Sequence, residues 1–373
     1  MRVIRIIVVG GGTSGHINPA LNIARYIKNH EKSEILYVGS KHGMEFKMAK
    51  YAGINFVSIT ASGFCRNFRI KSIKKNILAV RDIIFSVIES RRILKNFKPD
   101  ICLGTGGYVM GAFLHQASML KIPFAIQEQN AIPGLTTKLL AKRAKFVFLG
   151  NEEARAYLKN CRCIVTGNPI RNELFKISNM EAKKILGIDP NTRTPIVLSF
   201  GGSLGSETIN IVALNLMASK RYIHIHSYGK TNDNFLSRLD KLKVAVNPKN
   251  IDVREYIYNM NICMIAADIV ICRAGAMTLS ELAILNKPAI LIPSPNVSEN
   301  HQFYNALSYV SKFNGIIVKD KDAIFENFVD YVDLILLKMS KVKNKYNSPS
   351  VNNACETIYQ NLKNLLGKNF YNL

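Results

Sequence analysis

The amino-acid sequence predicts an α/β protein whose two parallel-sheet domains face each other across a central cleft. First, 373 residues exceed what one hydrophobic core usually supports. Second, apolar strand-like runs alternate with helical patterns, as in right-handed βαβ units. Third, a strand, a glycine-rich turn and a helix start follow one another twice, at 4–19 and at 195–208. Each of these two units opens one half of the chain.

The first half predicts a parallel sheet that ends near residue 166. Short apolar runs bounded by glycine or polar residues predict its strands: Ile4–Val9, Glu34–Val38, Asn55–Ile59, Asp100–Leu103, Pro123–Ile126 and Phe146–Leu149. We interpret Cys163–Thr166, with the following Gly167–Arg171, as the exit from this domain. Helical patterns lie between them, at Pro19–Lys28, from Gly43 onward and at Ile70–Phe97. Glycine and polar clusters follow the strands, and the carboxyl ends of parallel strands form the ligand crevice of such sheets.

The second half repeats the plan. Its predicted strands are Pro195–Phe200, Tyr222–Ser227, Ile251–Arg254, Ile269–Cys272, Ala289–Ile292 and Gly315–Val318, with helical patterns from Thr208, at Ala323–Val329 and at Asn352–Leu366. We therefore expect one domain over 1–166 and a second over 167–351. The C-terminal helix, about 352–373, is expected to pack back on the first domain.

Composition narrows the class of protein. The formal net charge of +24 favours an anionic partner such as a phosphorylated substrate, an acidic membrane or nucleic acid, although lysine-rich solvated surfaces alone could account for it. The seven cysteines include no CxxC pair, which predicts reduced thiols in a cytosolic protein. No apolar run approaches the roughly 20 residues that span a bilayer.

The first glycine loop, Gly10-x-Gly12-x-x-Gly15, matches the dinucleotide fingerprint in form only. A nicotinamide or flavin site needs an acid at the end of the second strand, and that strand ends in Tyr37-Val38-Gly39-Ser40. We therefore expect no cofactor. His16 at the mouth of the loop could act as a base or donor, or it could cap the helix.

Two segments of the second half suit a nucleotide diphosphate. Gly201–Gly205 lacks the Lys-Ser/Thr ending of a P-loop, but Ser203 and free N–H groups could bind phosphate. A turn without ligand is the alternative. In Arg273–Glu281, small residues open a helix and Glu281 could accept two ribose hydroxyls. Alternatively, Thr278 and Glu281 form a Thr-x-x-Glu capping box.

Asp320-Lys321-Asp322 has the DxD spelling of some metal-dependent glycosyltransferases. It follows a short strand and precedes a helical pattern, so we expect Asp322 to be an N-cap and no metal site to be present.

The segment Ile70–Lys98 is basic and apolar at once. Residues 61–100 hold ten Lys/Arg and three Asp/Glu. Ile73, Ile77, Val80, Ile84 and Val87 share one helical face, and Ile83, Phe85 and Ile88 widen it. The pattern suits a helix on an anionic membrane, or a sheet-covering helix with a solvated basic face.

Seven motifs, in order and nearly end to end, resemble the MurG family. They are Gly11-Gly12-Thr13-Ser14-Gly15-His16-Ile17-Asn18-Pro19, Gly104-Thr105-Gly106-Gly107-Tyr108, Glu128-Gln129-Asn130-Ala131-Ile132-Pro133-Gly134, Gly167-Asn168-Pro169-Ile170-Arg171, Gly201-Gly202-Ser203-Leu204-Gly205, Arg273-Ala274-Gly275-Ala276-Met277-Thr278 and His301-Gln302-Phe303-Tyr304-Asn305-Ala306. The resemblance implies the GT-B architecture of two Rossmann-like domains. It also implies an inverting, metal-independent transfer of N-acetylglucosamine from UDP-N-acetylglucosamine to undecaprenyl-diphosphate-linked MurNAc-pentapeptide (lipid I to lipid II).

The resemblance also implies roles for individual residues. His16 is the candidate base and Glu128 a second candidate catalytic residue, and both Glu128 and Tyr108 would line the acceptor side. The backbone at Ile257 reads the uracil and Glu281 binds the ribose. The remaining donor-binding residues are Thr13, Ser14, Gly15, Asn130, Arg171, Ser203, Ala276, Met277, Thr278, Leu279, Ser280 and Gln302. A peripheral location on the cytoplasmic face of the inner membrane follows, with the basic helix region as the contact.

Two departures from the family pattern, and three rival functions, accompany the resemblance. Ser14 replaces a usual glycine, which predicts a stiffer loop, and Phe64–Asn67 lacks the common Arg-Gly-Lys pattern of the acceptor side. The rivals are a diacylglycerol glycosyltransferase, a UDP-sugar epimerase and a nucleic-acid-binding protein. The charge is spread along the chain without interleaved aromatic residues, so we expect no nucleic-acid partner.

Overall fold

The structure is a computed structural model that describes residues 3–41, 43–60, 70–171, 176–230, 234–243, 250–324, 326–341 and 353–370. The chain divides into two compact units. The first unit comprises Met1–Ile170 together with Asn352–Leu373, and the second comprises Arg171–Val351. The predicted acceptor-side loop Phe64–Asn67 lies outside the described residues.

A parallel sheet forms the middle of the first unit. Its strands are β1 (Ile4–Gly10), β2 (Ser33–Ser40), β3 (Asn55–Ile59), β4 (Ile101–Gly106), β5 (Phe124–Glu128), β6 (Phe146–Leu149) and β7 (Cys163–Val165). Their spatial order is β3-β2-β1-β4-β5-β6-β7. The central strands β1, β4 and β5 are buried on both faces, which explains their continuous apolar runs.

Helices cover both faces of this sheet. They are α1 (Ser14–His30), α2 (Glu45–Tyr51), α3 (Ile70–Phe97), α4 (Gly107–Met119), α5 (Leu135–Leu140) and the C-terminal α13 (Ala354–Phe370). On one face, Ile358 and Leu362 of α13 join the apolar core that α1 forms with the sheet. On the other face, Phe113 and Leu114 of α4 pack with Leu94 of α3 against the sheet. The C-terminal helix is therefore part of the first unit.

The second unit holds another parallel sheet, in the order β10-β9-β8-β11-β12-β13. Its strands are β8 (Ile196–Phe200), β9 (Ile223–Ser227), β10 (Ile251–Arg254), β11 (Ile269–Cys272), β12 (Ala289–Leu291) and β13 (Gly315–Ile317). Its helices are α6 (Asn179–Ile185), α7 (Glu207–Ser219), α8 (Phe235–Lys241), α9 (Met260–Ala266), α10 (Ala276–Ile284), α11 (His301–Val310) and α12 (Phe328–Lys341). Two parallel-sheet, Rossmann-like units confirm the predicted fold class.

Each sheet reverses its strand order once, and both reversals lie beside glycine loops. In the first unit the reversal falls between β1 and β4, which pair directly. In the second unit it falls between β8 and β11. Ligands of open α/β sheets bind at the carboxyl ends of the strands at such a switch point. The fold thus gives each unit one candidate ligand crevice.

Two helices begin at residues other than those predicted from the sequence. The predicted helix Pro19–Lys28 starts too late. The structure begins α1 at Ser14 and carries Pro19 inside the helix. The predicted helix at Ala323–Val329, with Asp322 as its N-cap, is wrong, because residues 320–324 form turns and α12 begins at Phe328. Asn327 bonds the Val329 amide instead, at 3.2 Å.

Around residues 82–90, the face of α3 that packs on the unit is small and polar, whereas Leu94 further along the helix is part of the apolar core. Asp82, Ser86 and Ser90 are buried, whereas Ile84, Phe85 and Ile88 are 50–59% exposed. The buried side of these turns is thus small and polar, and the larger apolar side chains face outward. The predicted shared face therefore breaks at Ile84. The side chains of Ile73, Ile77, Val80 and Ile83 lie outside the described part of the chain.

Within the described ranges, no helix combines the length and the apolarity required to traverse a lipid bilayer.

Candidate active site

The first glycine loop leads directly into the N-terminus of α1. Thr13 is the N-cap in an extended conformation (φ −140°), and its side chain makes no capping hydrogen bond. Ser14 and Gly15 therefore belong to the first helical turn, where backbone N–H groups lack helical partners. The helix dipole adds partial positive charge there. Ser14, the departure from the family pattern, is exposed at the first helical position.

The His16 side chain is held through one ring nitrogen. Its Nδ1 lies 3.0 Å from the Thr105 carbonyl oxygen and 3.0 Å from Oε1 of Gln129. The Thr105 hydroxyl also donates to the His16 carbonyl oxygen at 2.7 Å. Among the described residues nothing hydrogen-bonds His16 Nε2. The imidazole is half-buried, so this nitrogen is the ring's open position.

Gly106 makes room for this histidine. It has φ of 123°, a conformation that favours glycine, and an added Cβ would lie 2.3 Å from His16 Nδ1. Two residues on, Tyr108 occupies the first turn of α4 and is 57% exposed. The glycine motif after β4 therefore brings His16 and Tyr108 to the same edge of the sheet.

Glu128 is buried, and its carboxylate accepts hydrogen bonds from residues that follow it closely in the chain. Its Oε1 accepts hydrogen bonds from the backbone and side-chain nitrogens of Asn130, at 3.1 and 3.0 Å. Its Oε2 accepts from the Gly134 amide at 3.1 Å and from the Thr137 hydroxyl at 2.7 Å. The side chain is 4% exposed. Glu128 thus links the end of β5 to the start of α5 and orients half-buried Asn130.

In the second unit, the loop after β8 presents Ser203. Ser206 caps α7 by accepting from the Ile209 amide at 3.4 Å. Ser203 lies three residues earlier and is half-buried, and its carbonyl accepts from the Lys230 amide at 3.5 Å. Its hydroxyl has no partner within the described ranges. The loop therefore offers a hydroxyl beside the N-terminus of α7.

No side chain caps the N-terminus of α10. Gly275 is the N-cap and brings no side chain to the first amides of the helix. The capping-box alternative for Thr278 and Glu281 is wrong, because α10 begins at Ala276 and Thr278 already lies in its first turn. Ala276, Met277 and Thr278 thus present backbone donors suited to an anion. Leu279 is buried, and Ser280 bonds back to the Ala276 carbonyl at 2.9 Å.

Glu281 has an unusual protonation equilibrium. Burial raises its pKa to about 7, and the positive charge of Arg171 acts in the opposite direction. Arg171, at the start of the unit, is therefore electrostatically coupled to this carboxylate. A carboxylate in such a place can accept two hydroxyl hydrogen bonds when it is ionised.

Two further predicted donor residues offer open hydrogen-bonding groups. Ile257 lies in the segment that connects β10 to α9, and its side chain is buried. Its backbone groups have no hydrogen bond within the described ranges. Gln302, near the start of α11, accepts from the Ser294 amide through Oε1 at 2.9 Å. This bond leaves the Gln302 Nε2 group as a donor.

Asp320, the first aspartate of the DxD spelling, pairs with Arg273. The guanidinium also donates to the Ile292 and Pro293 carbonyls, at 3.0 and 3.4 Å. Arg273 therefore ties the ends of β11 and β12 to the loop after β13. In the part of the chain that the structure describes, no three His, Cys, Asp or Glu side chains are grouped to hold a metal ion.

The sequence did not single out Thr105, Gln129 or Glu45 as partners of the first loop. Glu45, at the start of α2, is fully buried and accepts from the Gly12 amide at 2.8 Å. Gln129 lies in a polar run that follows a strand, and this position is the one feature of the sequence that could have identified it as a site residue. Contacts between residues so far apart in sequence depend on the strand order.

Known proteins resemble this chain over nearly its whole length. Residues 6–149 match the glycosyltransferase family 28 N-terminal domain, and residues 196–361 match the family's C-terminal domain. A protein of Acetivibrio thermocellus is 37% identical over 97% of this chain and 98% of its own length. One of Bacillus cytotoxicus is 35% identical over 98% of this chain and 100% of its own length. Both are named UDP-N-acetylglucosamine–N-acetylmuramyl-(pentapeptide) pyrophosphoryl-undecaprenol N-acetylglucosamine transferase.

Solved structures share the fold. The crystal structure of Acinetobacter baumannii MurG aligns with a TM-score of 0.71 at 23% identity, covering 97% of this chain and 99% of that one. The UDP-GlcNAc 2-epimerase of Neisseria meningitidis, bound to UDP-GlcNAc, aligns with a TM-score of 0.64 at 17% identity, covering 97% and 100%. At these identities the likeness concerns architecture alone. The sequence matches show family membership as well as architecture. They show that the chain belongs to glycosyltransferase family 28 and, within it, to the MurG family.

Proposed function

We propose that this protein transfers N-acetylglucosamine from UDP-N-acetylglucosamine to the muramoyl 4-hydroxyl of undecaprenyl-diphosphate-linked MurNAc-pentapeptide, converting lipid I to lipid II in peptidoglycan synthesis. One observation carries the proposal. Relatives at 35–37% identity, matched over nearly their full lengths, bear the name of that reaction. The site geometry in each unit is compatible with it.

The second unit is the proposed UDP-sugar-binding domain. The backbone groups of Ile257, which have no hydrogen-bond partner among the described residues, suit the hydrogen-bonding edge of a uracil. The carboxylate of Glu281 suits the two ribose hydroxyls, and the open N-terminus of α10 with the Ser203 hydroxyl suits the diphosphate. Gln302 would donate to the sugar through Nε2, because its Oε1 is already bonded to the Ser294 amide. Arg171 would act on the donor directly or through Glu281.

The first unit is the proposed acceptor domain. The open Nε2 of His16 would accept the proton of the muramoyl 4-hydroxyl as its oxygen forms a bond to C1 of N-acetylglucosamine. The C1–oxygen bond to UDP breaks on the opposite side, with inversion at C1. The N–H groups and dipole at the start of α10 would stabilise the charge on the departing UDP. Thr13, Ser14, Gly15 and Asn130 are proposed donor-side contacts, and Tyr108 is a proposed acceptor contact.

We propose a positioning role for Glu128. Its oxygens accept four hydrogen bonds from its own loop, and its side chain is 4% exposed. A carboxylate so occupied is poorly placed to take a proton from a substrate. Its contribution would be to hold Asn130 in place.

We also propose that α3 contacts an anionic membrane surface. Its exposed side includes Ile84, Phe85 and Ile88, together with the exposed cations Arg81, Arg91, Arg92 and Lys95. Apolar side chains enter the boundary of a bilayer and basic ones attract acidic headgroups. The proposed location is peripheral, at the cytoplasmic face of the inner membrane, where a nucleotide sugar and a lipid-linked acceptor can meet.

The reaction itself is tested by transfer of labelled N-acetylglucosamine to a soluble lipid I analogue, with and without EDTA. We expect transfer that survives EDTA. Glu281→Ala should mainly raise the donor KM, and His16→Ala should mainly lower kcat. Transfer to diacylglycerol in place of lipid I would refute the acceptor assignment. Conversion of UDP-N-acetylglucosamine to its 2-epimer without transfer would refute the reaction class.

The membrane proposal is tested by sedimentation with vesicles of phosphatidylglycerol or phosphatidylcholine. We expect binding to the acidic vesicles, and its loss in an Ile84→Ser, Phe85→Ser, Ile88→Ser variant. The matched control carries Leu334→Ser and Leu337→Ser on α12, whose side chains are similarly exposed. Equal loss in both variants would contradict a specific role for α3.

A further inference from the structure

We propose that Gln129 is a positioning residue that sets the tautomer and the orientation of the His16 imidazole. The catalytic consequence rests on the proposed function, whereas the structural statement does not. The contact joins residues on α1 and at the end of β5, with Gln129 Oε1 3.0 Å from His16 Nδ1. Gln129 is 2% exposed, so this contact is sheltered from solvent.

The surroundings of Gln129 define which end of its amide faces the histidine. Its Nε2 lies 2.7 Å from the Thr105 carbonyl oxygen, 3.1 Å from the Gln127 carbonyl oxygen and 2.5 Å from Gln127 Oε1. All three are acceptors. Rotating the amide by 180° would set an oxygen against three oxygens, which is unfavourable. The nitrogen therefore stays there, and Oε1 faces His16.

Further buried amides hold this arrangement. Gln127 Nε2 donates to Asn168 Oδ1 at 3.0 Å, which makes its own Oε1 the acceptor beside Gln129. Asn168 Nδ2 donates in turn to the Gln129 carbonyl oxygen at 3.2 Å. Gln127 and Asn168 are each 1% exposed. The orientation of Gln129 is thus specified by a closed set of buried amides from β5 and from the segment after β7.

The consequence for His16 follows from its two acceptors. Nδ1 faces the Gln129 Oε1 and the Thr105 carbonyl oxygen, and neither can donate a proton, so Nδ1 must carry the hydrogen. In a neutral imidazole the other nitrogen, Nε2, then bears the lone pair. Gln129 donates to the same Thr105 carbonyl that His16 contacts, so it holds both acceptors in place. The geometry therefore presents Nε2 as the basic atom.

The neighbouring ionisable groups do not provide this arrangement. Glu45 on α2 is bonded to the Gly12 amide and to Ser40, and Glu128 on β5 is bonded within its loop. Tyr37 on β2 donates to the Gly10 carbonyl at 2.8 Å. The groups that contact the His16 ring on its Nδ1 side are therefore neutral.

The tautomer can be measured without catalysis. In protein labelled with ¹⁵N-histidine, the ring-nitrogen shifts distinguish Nδ1–H from Nε2–H, and comparison with His16→Gln identifies the His16 signals among the seven histidines. We expect Nδ1–H in the wild type and a larger share of the Nε2–H tautomer in Gln129→Met, where the Thr105 carbonyl remains as the acceptor at Nδ1. A wild-type Nε2–H tautomer, or an unchanged tautomer in Gln129→Met, would overturn the proposal even if transfer is normal.

The pH profile provides the catalytic readout. In Gln129→Met the imidazolium loses one hydrogen-bond acceptor at Nδ1, which disfavours the protonated ring, so the acidic limb of kcat should move down by about one pH unit. Gln129→Met should lower kcat roughly tenfold or more, with little change in donor KM. The control is Asn151→Ala, which removes a 2.8 Å bond to the Gln129 backbone and spares its side chain. It should leave the profile in place.

The outcomes separate this inference from the proposed function. An Nδ1–H tautomer that depends on Gln129, in a protein without transfer activity, would support the structural inference and refute the function. Normal transfer with the same acidic limb in wild type and Gln129→Met would do the reverse. If Gln129→Met fails to fold, the ring-nitrogen shifts of the wild type still decide whether Nδ1 carries the hydrogen.

Discussion

The affinity of the free protein for UDP-N-acetylglucosamine should depend on pH through Glu281. Burial raises the pKa of this carboxyl to about 7, so it is half-ionised near neutrality. Only the ionised form offers acceptors to both ribose hydroxyls, and the donor itself has no group that titrates between pH 6 and 8. The carboxylate fraction falls from about ten-elevenths at pH 8 to about one-eleventh at pH 6. Donor binding should therefore weaken about tenfold, or about 1.4 kcal/mol, as pH falls through this range.

The assay is titration calorimetry of donor binding without acceptor, so that chemistry at His16 does not contribute. Glu281→Gln keeps the size of the side chain and one acceptor oxygen but does not titrate, so its Kd should be flat between pH 6 and 8. Arg171→Met removes the charge that lowers the pKa of Glu281, so the midpoint should move to higher pH. A flat wild-type profile, or an equal slope in Glu281→Gln, would refute the reasoning.

Three further predictions concern stability and the donor site. Burial lowers the pKa of His224 to about 3. The native state keeps this histidine neutral, whereas the unfolded chain binds a proton below about pH 6.5, so the free energy of unfolding decreases as pH falls. Between pH 7 and 5, urea melts should show a loss of about 2 kcal/mol more in the wild type than in His224→Gln. Equal losses in the two proteins would contradict this. Asp320→Asn removes the ion pair with Arg273, so it should raise the donor KM and destabilise the second unit by about 1–3 kcal/mol. Unchanged hydrogen exchange in the second unit would contradict this. Glu128→Gln replaces one acceptor oxygen with an NH2 donor that faces other donors, so it should destabilise the first unit by about 2 kcal/mol, which a wild-type melting temperature would exclude.

Much of the architecture can be read from the chain. Apolar runs such as Ile4–Val9 and Ile196–Phe200 must be buried on both faces, and the glycines after them allow the chain to turn tightly into a helix. The predicted strands and the two repeated units follow from that chemistry. The same local signals identified Ser203 and Glu281 as candidates, because polar residues at the carboxyl ends of parallel strands gather at a crevice.

Helix ends and helix faces needed the tertiary structure. Asp322 resembles an N-cap locally, yet the following residues form turns and α12 begins at Phe328. Ile84 belongs to an apolar pattern, yet α3 buries Ser86 and Ser90 instead. In both cases packing against neighbours outweighs a local preference of about 1 kcal/mol.

The state of the site residues likewise arises only from contacts distant in sequence. Strand order places Gln129 and Thr105 against His16, so the identity of the basic ring nitrogen is a property of the fold. Burial, with Arg171 opposing it, moves the pKa of Glu281 toward neutrality. Residue types and their spacing specify which side chains can take part in the chemistry. Their protonation and orientation depend on solvent exclusion and on partners that only the folded chain assembles.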